Sequence, residues 1–201
     1  ELNFPLDKLD FISGDFDSHK IEEEIIQQAQ NHSFEIIETP DQNKTDFHKA
    51  LELILKKGFE NIDVYGGSGG EQDHFLGNLS VAYAFKDKLN LQFFDEYSSY
   101  YFIPKNFSIS DVKGKMISLM PFPIAKNIET KGLKWPLHQE DLMLGERIGT
   151  RNIADSQEVD VWFNKQAEWV MTETDVESLE KVPAPVAEAF MSSTMAGMKL
   201  R

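Results

Sequence analysis

Val64-Tyr65-Gly66-Gly67-Ser68-Gly69-Gly70-Glu71-Gln72-Asp73-His74 carries an apolar run into four glycines and then into the start of a carboxylate-bearing helix. Glycine at this density marks a backbone that bends sharply and approaches something closely. Ile62, Val64 and Tyr65 read as a buried strand, and the spacing from Asp73 to Phe85 is helical. A strand, a glycine loop and a helix N-terminus in succession suit an anion, because loop N–H groups and the positive helix end favour negative charge. No Gly-Lys-Ser/Thr follows the glycines and the spacing is not Gly-x-Gly-x-x-Gly, so neither a Walker loop nor a dinucleotide fingerprint is present. The alternative reading of the same residues is a plain turn with tight helix–strand packing.

Outward from this loop, strand-like and helix-like segments alternate. Strands are expected over 9–16, 34–39, 61–65 and 91–95, and helices over 18–30, 45–57 and 73–89. That alternation predicts an α/β domain, a parallel sheet with crossover helices. From residue 98 the pattern turns β-rich, in Ser99-Tyr100-Tyr101-Phe102-Ile103-Pro104 and Lys115-Met116-Ile117-Ser118-Leu119-Met120-Pro121. No helix-length pattern separates these segments, which predicts an antiparallel β-sandwich. The expected domains are residues 1–97, residues 98–171 and a C-terminal helical extension over 172–201.

Two further strand-to-helix junctions carry acids. Gly14-Asp15-Phe16-Asp17-Ser18 places two carboxylates two residues apart, so both leave a strand end in one direction. Such a pair repels unless a cation sits between them, and hard oxygen ligands suit magnesium. A capped turn with Ser18 starting a helix explains the same residues without a ligand. In Thr39-Pro40-Asp41-Gln42-Asn43-Lys44-Thr45-Asp46, Thr45 is a candidate N-cap and Asp46 falls in the first helical turn, where a carboxylate is favoured in any case. Capping does not explain why three successive junctions each deliver an acid. In open α/β sheets ligands sit outside the carboxyl ends of the strands, where these loops meet.

These motifs, in this order and spacing, resemble the thiamine pyrophosphokinases. The likeness runs from about residue 6 to 160. It takes in Lys131-Gly132-Leu133-Lys134-Trp135-Pro136-Leu137 and Gly145-Glu146-Arg147-Ile148-Gly149-Thr150-Arg151-Asn152. The resemblance implies transfer of a pyrophosphoryl group from ATP to the hydroxyl of thiamine, giving thiamine diphosphate and AMP. It implies that Asp15, Asp17, Asp46 and Asp73 handle Mg2+ and the triphosphate, with Gln42 and Thr45 lining the same site. Gly69 and Gly70 of the loop join the ATP site. Lys44 is either a point charge for the phosphates or a solvated loop lysine. His74 either orients Asp73 and touches a phosphate or is a structural histidine. Thr150 and Asn152 are expected to bond the aminopyrimidine, with Trp135 packing near it or filling the sandwich core instead. The thiamine pocket is implied to lie at a homodimer interface.

The chain departs from the family's pattern in three places. Glu71 stands where many members carry arginine. The family's N-terminal strand-helix-strand portion is expected to be missing, because Gly14-Asp15 follows Glu1 so soon. At the other end, Val159-Asp160-Val161-Trp162-Phe163 and Ala167-Glu168-Trp169-Val170-Met171 are expected to pair as a hairpin across Asn164-Lys165-Gln166, followed by a helix over 179–191 entered through proline. Residues 160–195 resemble PepSY-like modules of secreted proteins, so a fragment, fusion or chimera stays open for the tail. The alternatives to the kinase are another Mg-dependent nucleotide-phosphate enzyme and a non-catalytic thiamine- or partner-binding protein.

Composition bounds the remaining choices. The net charge of −14 over 201 residues argues against nucleic acid as a partner, since no basic face is visible. Zero cysteines exclude disulfides and thiolate metal sites and fit a cytoplasmic location. No apolar stretch reaches membrane-span length, so a membrane partner is not expected.

Overall fold

A computed structural model describes residues 9–16, 23–32, 34–68, 71–164, 169–175, 188–191 and 197–200. The first part alternates as its periodicity predicts: β1 (Leu9–Gly14), α1 (Glu23–His32), β2 (Glu35–Glu38), α2 (Asp46–Lys56), β3 (Asn61–Tyr65), α3 (Gln72–Phe85) and β4 (Asn90–Phe94). A run of strands follows: β5 (Ser98–Ile103), β6 (Asn106–Ser110), β7 (Met116–Phe122), β8 (Ile124–Lys131), β9 (His138–Met143), β10 (Gly149–Ile153), β11 (Glu158–Trp162) and β12 (Trp169–Asp175). Two short strands close the chain, β13 (Glu188–Met191) and β14 (Gly197–Leu200). The chain divides into two units, residues 1–95 with 182–201 and residues 96–181.

The first unit is an α/β sheet in the order β4-β3-β14-β13-β1-β2. β1 runs parallel to β2 and to β13, and β3 parallel to β4, while β14 is antiparallel to both β13 and β3. β1, β2, β3 and β4 therefore all point one way, and their carboxyl ends share one edge of the sheet. Helix α2 forms because Phe47, Ala50, Leu51 and Ile54 fall on one face and are buried there. Thr45 caps it, accepting a bond from the His48 amide at 3.2 Å. The helix packs on β1, β13 and α3, and Phe47 meets Phe93 of β4 with ring centroids 5.9 Å apart.

The second unit is the expected antiparallel sandwich. One sheet has the order β10-β7-β12-β5 and the other β6-β11-β8-β9. Ile103, Ile117 and Leu119 from the first, and Ile128, Leu142, Val159 and Val161 from the second, meet in one buried core. Alternation accounts for this, since Val159 and Val161 point inward from β11 while Glu158 and Trp162 point out.

Two expectations at the end of the chain are corrected. The hairpin does not form: β11 pairs with β6 and β8, whereas β12 pairs with β5 and β7 in the other sheet. Both strands are paired on each side, which leaves neither an edge to offer the other. Nor are the described parts of residues 172–201 helical. Residues 172–175 complete β12, and the described end of the expected helix, Glu188–Met191, is a strand beside β1. Ladder pairing from a strand far away in sequence overrides a weak local helix preference. Residues 179–187 lie outside the described residues.

Gly132 stands at φ +82°, and a Cβ there would run into the Glu158 backbone carbonyl. Gly132→Ala is expected to cost about 2–4 kcal/mol, through strain and a clash with backbone that cannot give way. A lowered thermal midpoint checks this.

Candidate functional site

At the shared carboxyl edge, Asp15 follows β1 and Thr39 follows β2, the Thr39 amide bonding to the Gly14 carbonyl at 2.8 Å. Helix α2 delivers Asp46 and Lys49 to the same place. The Lys49 ammonium lies 2.9 Å from Asp46 Oδ1 and 3.2 Å from Asp15 Oδ2, and donates to the Thr39 carbonyl at 2.8 Å. Gln42 Nε2 donates to the same Asp15 oxygen at 3.3 Å. The Lys49 and Asp46 side chains are only 4% and 7% exposed. Burial works against the charge on Lys49, but its bonds to Asp46 and Asp15 outweigh that and raise its pKa above the ordinary lysine value. Phe16, at φ 54°, turns the chain immediately after Asp15, a left-handed conformation that costs a non-glycine residue about 1–2 kcal/mol.

Of the residues expected in an ATP site, the structure brings together Asp15, Gln42 and Asp46, with Thr45 as the cap that starts their helix. Lys44 turns instead to Glu52, which accepts at 2.7 and 2.9 Å. Asp17, Gly69 and Gly70 lie outside the described residues. Lys49 was not singled out in the sequence. Its one signal was its position three residues after Asp46, which reads just as readily as a solvated helix face.

Asp73 forms a second group with Glu71 and His74. All three are exposed at the start of α3, with ligand atoms within 4.8 Å of one another. Asp73 Oδ1 accepts from the His74 amide at 2.9 Å, and His74 Nε2 lies 3.7 Å from Glu71. In the loop before them, Gly66 has φ 69°, which calls for glycine. Gly67 is needed for another reason: a Cβ there would lie 2.8 Å from the Phe93 ring. Asn78 reaches back from α3 to the Gly67 carbonyl at 3.0 Å. Tight helix–strand packing is thus part of what these glycines do.

The second unit holds an open cavity of about 230 Å³ whose lining includes Trp135, Arg147, Ile148, Thr150 and Asn152. The three residues expected around thiamine are therefore together. Register slips between Gly149 and Asn152, and Arg151 takes φ 58°, so β10 bulges at Thr150 and Arg151. Asn152 is engaged at both ends of its amide: Oδ1 accepts from the Trp135 amide at 3.1 Å and Nδ2 donates to the Trp135 carbonyl at 2.7 Å. It acts as a clamp on Trp135, a task the sequence reading did not foresee, while still lining the cavity. Trp135 is 54% exposed, so it does not fill the core, and the Lys134 ammonium sits 4.9 Å from its ring centre. Arg147 is drawn to Glu140, whose pKa that guanidinium lowers.

Residues 6–93 match the sequence profile described as "Thiamin pyrophosphokinase, catalytic domain", and residues 102–167 match "Thiamin pyrophosphokinase, vitamin B1 binding domain". Thiamine pyrophosphokinase 1 of Oryza sativa subsp. japonica is 30% identical over 179 residues, 82% of this chain and 66% of that protein. The thiamine pyrophosphokinase of Bacillus subtilis is 28% identical over 143 residues, 69% of this chain and 66% of that protein. The chain thus spans about two thirds of the length of the relatives it matches. Among solved structures, the thiamine pyrophosphokinase of Bacillus subtilis superposes with a TM-score of 0.69 at 24% identity, covering 84% of this chain and 79% of that one. The enzyme of Candida albicans gives 0.73 at 17% identity, covering 86% and 75%. At these identities the superpositions establish the fold.

Lys49→Met takes the Lys49 cation from the buried Asp46 carboxylate and the half-buried Asp15 carboxylate, a loss of about 3–5 kcal/mol, and Lys49→Arg costs less. Because the pKa of Lys49 is raised, its stabilising contribution is complete at neutral pH and fades only as strongly alkaline solution removes the proton. The gap in melting temperature between wild type and Lys49→Met, followed over pH, is expected to stay level through neutrality and then close.

Proposed function

The chain belongs to the thiamine pyrophosphokinase family, and from that premise we propose that it transfers a pyrophosphoryl group from ATP to the hydroxyl of thiamine. The observation that carries the reading is the convergence of Asp15 and Asp46 on Lys49, with Gln42 bonded to Asp15, at the carboxyl edge of the parallel strands. In the reaction the thiamine hydroxyl oxygen attacks the β-phosphorus and the bond between the α,β-bridging oxygen and that phosphorus breaks. AMP leaves with the bridging oxygen, and the hydroxyl proton passes to a carboxylate of the site. Little covalent work falls to the protein in such a transfer, which depends on positioning and charge.

The donor set fits a hard cation. Asp15, Asp46, Gln42 and the Thr39 carbonyl all offer oxygen, and the buried hydroxyls of Ser13 and Thr39 have no hydrogen-bond partner among the described residues. We assign Mg2+ to Asp15 and Asp46, with Asp17 and Asp73 as further ligands. When bound, the ion offsets the charge of the triphosphate and of the departing AMP. Lys49 holds both carboxylates in place, Gln42 steadies Asp15, and Thr45 fixes the helix end that presents Asp46. Lys44 and His74, with the glycine loop, are placed along the phosphates; a surface ion pair such as that of Lys44 with Glu52 is weak enough to yield to a phosphate.

Thiamine is assigned to the cavity of the second unit, where the Trp135 face suits a cationic thiazolium and Thr150 offers a hydroxyl. Trp135 and Ile148 leave 54% and 44% of their surface exposed at this cavity, which supports a homodimer that covers it with a second copy. We place the reaction in the cytoplasm, where ATP is available.

Incubation of the chain with ATP, Mg2+ and thiamine is expected to yield AMP and thiamine diphosphate, and no AMP when thiamine is withheld. AMP or phosphate release without thiamine would favour a different nucleotide enzyme, and thiamine binding without product a non-catalytic protein. Asp46→Asn and Asp73→Asn are expected to lower kcat by at least about a hundredfold with the fold intact. Trp135→Leu is expected to raise KM for thiamine about tenfold with kcat nearly unchanged.

A further inference from the structure

Residues 188–191 and 197–200 take no part in the chemistry above, yet they form the middle of the first unit's sheet. β13 lies beside β1 and β14 beside β3, in the order β4-β3-β14-β13-β1-β2. Take these two strands away and what remains is two separate parallel pairs, β1 with β2 and β3 with β4. The acids of the site are shared between those pairs. Asp15 follows β1 and Gln42 follows β2, whereas Glu71, Asp73 and His74 follow β3. Helix α2, which carries Asp46 and Lys49, rests on β13 as well as on β1.

The register of the last strands matches their neighbours in chemistry. Met198 stands opposite Val64 and Leu200 opposite Ile62, and the two β3 residues are 0% and 1% exposed. Lys199 is in register with Asp63 of β3 on one side and Glu188 of β13 on the other, so the pairing places a lysine between two acidic residues along a row of three strands. Asp63 is itself 1% exposed. Opposite charges in directly paired positions favour one register over its neighbours, and a slip by one residue would break both pairs at once.

We propose that the C-terminal strand pair is a positioning element for the site. It fixes β1 and β3 three strand spacings apart, about 14 Å across the sheet, and so sets where the loops that carry Asp15 and the Glu71–Asp73–His74 group begin. The role rests on the transferase reading.

Lys199→Glu places a third acid in the row and tests this in the full chain, beside Lys199→Arg, which keeps the charge. The expected result is a fall in kcat of at least tenfold in Lys199→Glu and wild-type kcat in Lys199→Arg. Thiamine binding, read through tryptophan fluorescence, is expected to stay within twofold of wild type in both, since Trp135 belongs to the other unit. As the chain has no cysteine, Ile62→Cys with Leu200→Cys provides a second test that does not depend on Lys199→Glu folding. Oxidation is expected to join the pair within one chain and to preserve turnover. Failure of that disulfide to form, or wild-type kcat in a folded Lys199→Glu, overturns the proposal while the transferase reading stands. A wild-type chain without turnover overturns both.

Discussion

An ammonium group buried between two carboxylates holds the candidate site together. Lys49 reaches from α2 to Asp15 after β1 and to the Thr39 carbonyl after β2, and its own helix supplies Asp46. Charges this far from water persist only while each has its partner, so the three groups and the elements that carry them are fixed as a set. The cost of burying Lys49 is offset at the site we propose for a triphosphate and its cation. The raised pKa of Lys49 expresses the same balance, because the protonated form is the one its neighbours hold.

The two units contribute different kinds of order. In the first, a shared strand direction gathers loops at one edge, and function sits on those loops. In the second, a packed sandwich supports a bulge in β10 and a clamp by Asn152, which together present Trp135 and Thr150 to an open cavity. Strained or irregular backbone recurs at both places, Phe16 beside Asp15 and Arg151 beside Thr150, each in the left-handed region. Such conformations survive where the surrounding structure over-determines them.

Much of this was legible in the residues. The α/β alternation, the sandwich and the Thr45 cap follow from local periodicity, and the acids at strand ends follow from topology. What was missed depends on partners far away in sequence. Lys49 looked like one more charge on an amphipathic helix, because its meaning lies with Asp15, 34 residues earlier. The strands near Val161 and Val170 looked like a hairpin because they are neighbours in the chain, yet each is already paired on both sides in a different sheet. The final strands looked helical because their partners, β1 and β3, come more than a hundred residues before them. The bonds of Asn152 to the Trp135 backbone were not legible either, since the two residues lie 17 apart in sequence.

The central claim is that the carboxylates gathered by Lys49 are the ones that receive the metal and the triphosphate. A crystal grown with Mn2+ and an ATP analogue that resists cleavage between the α- and β-phosphates, read by anomalous scattering, tests it directly. The account predicts a metal peak bonded to Asp15 and Asp46 oxygens at about 2.1–2.2 Å, with phosphate oxygens completing the shell and Lys49 still against both acids. A peak confined to Glu71, Asp73 and His74, with Asp15 and Asp46 untouched, would contradict it.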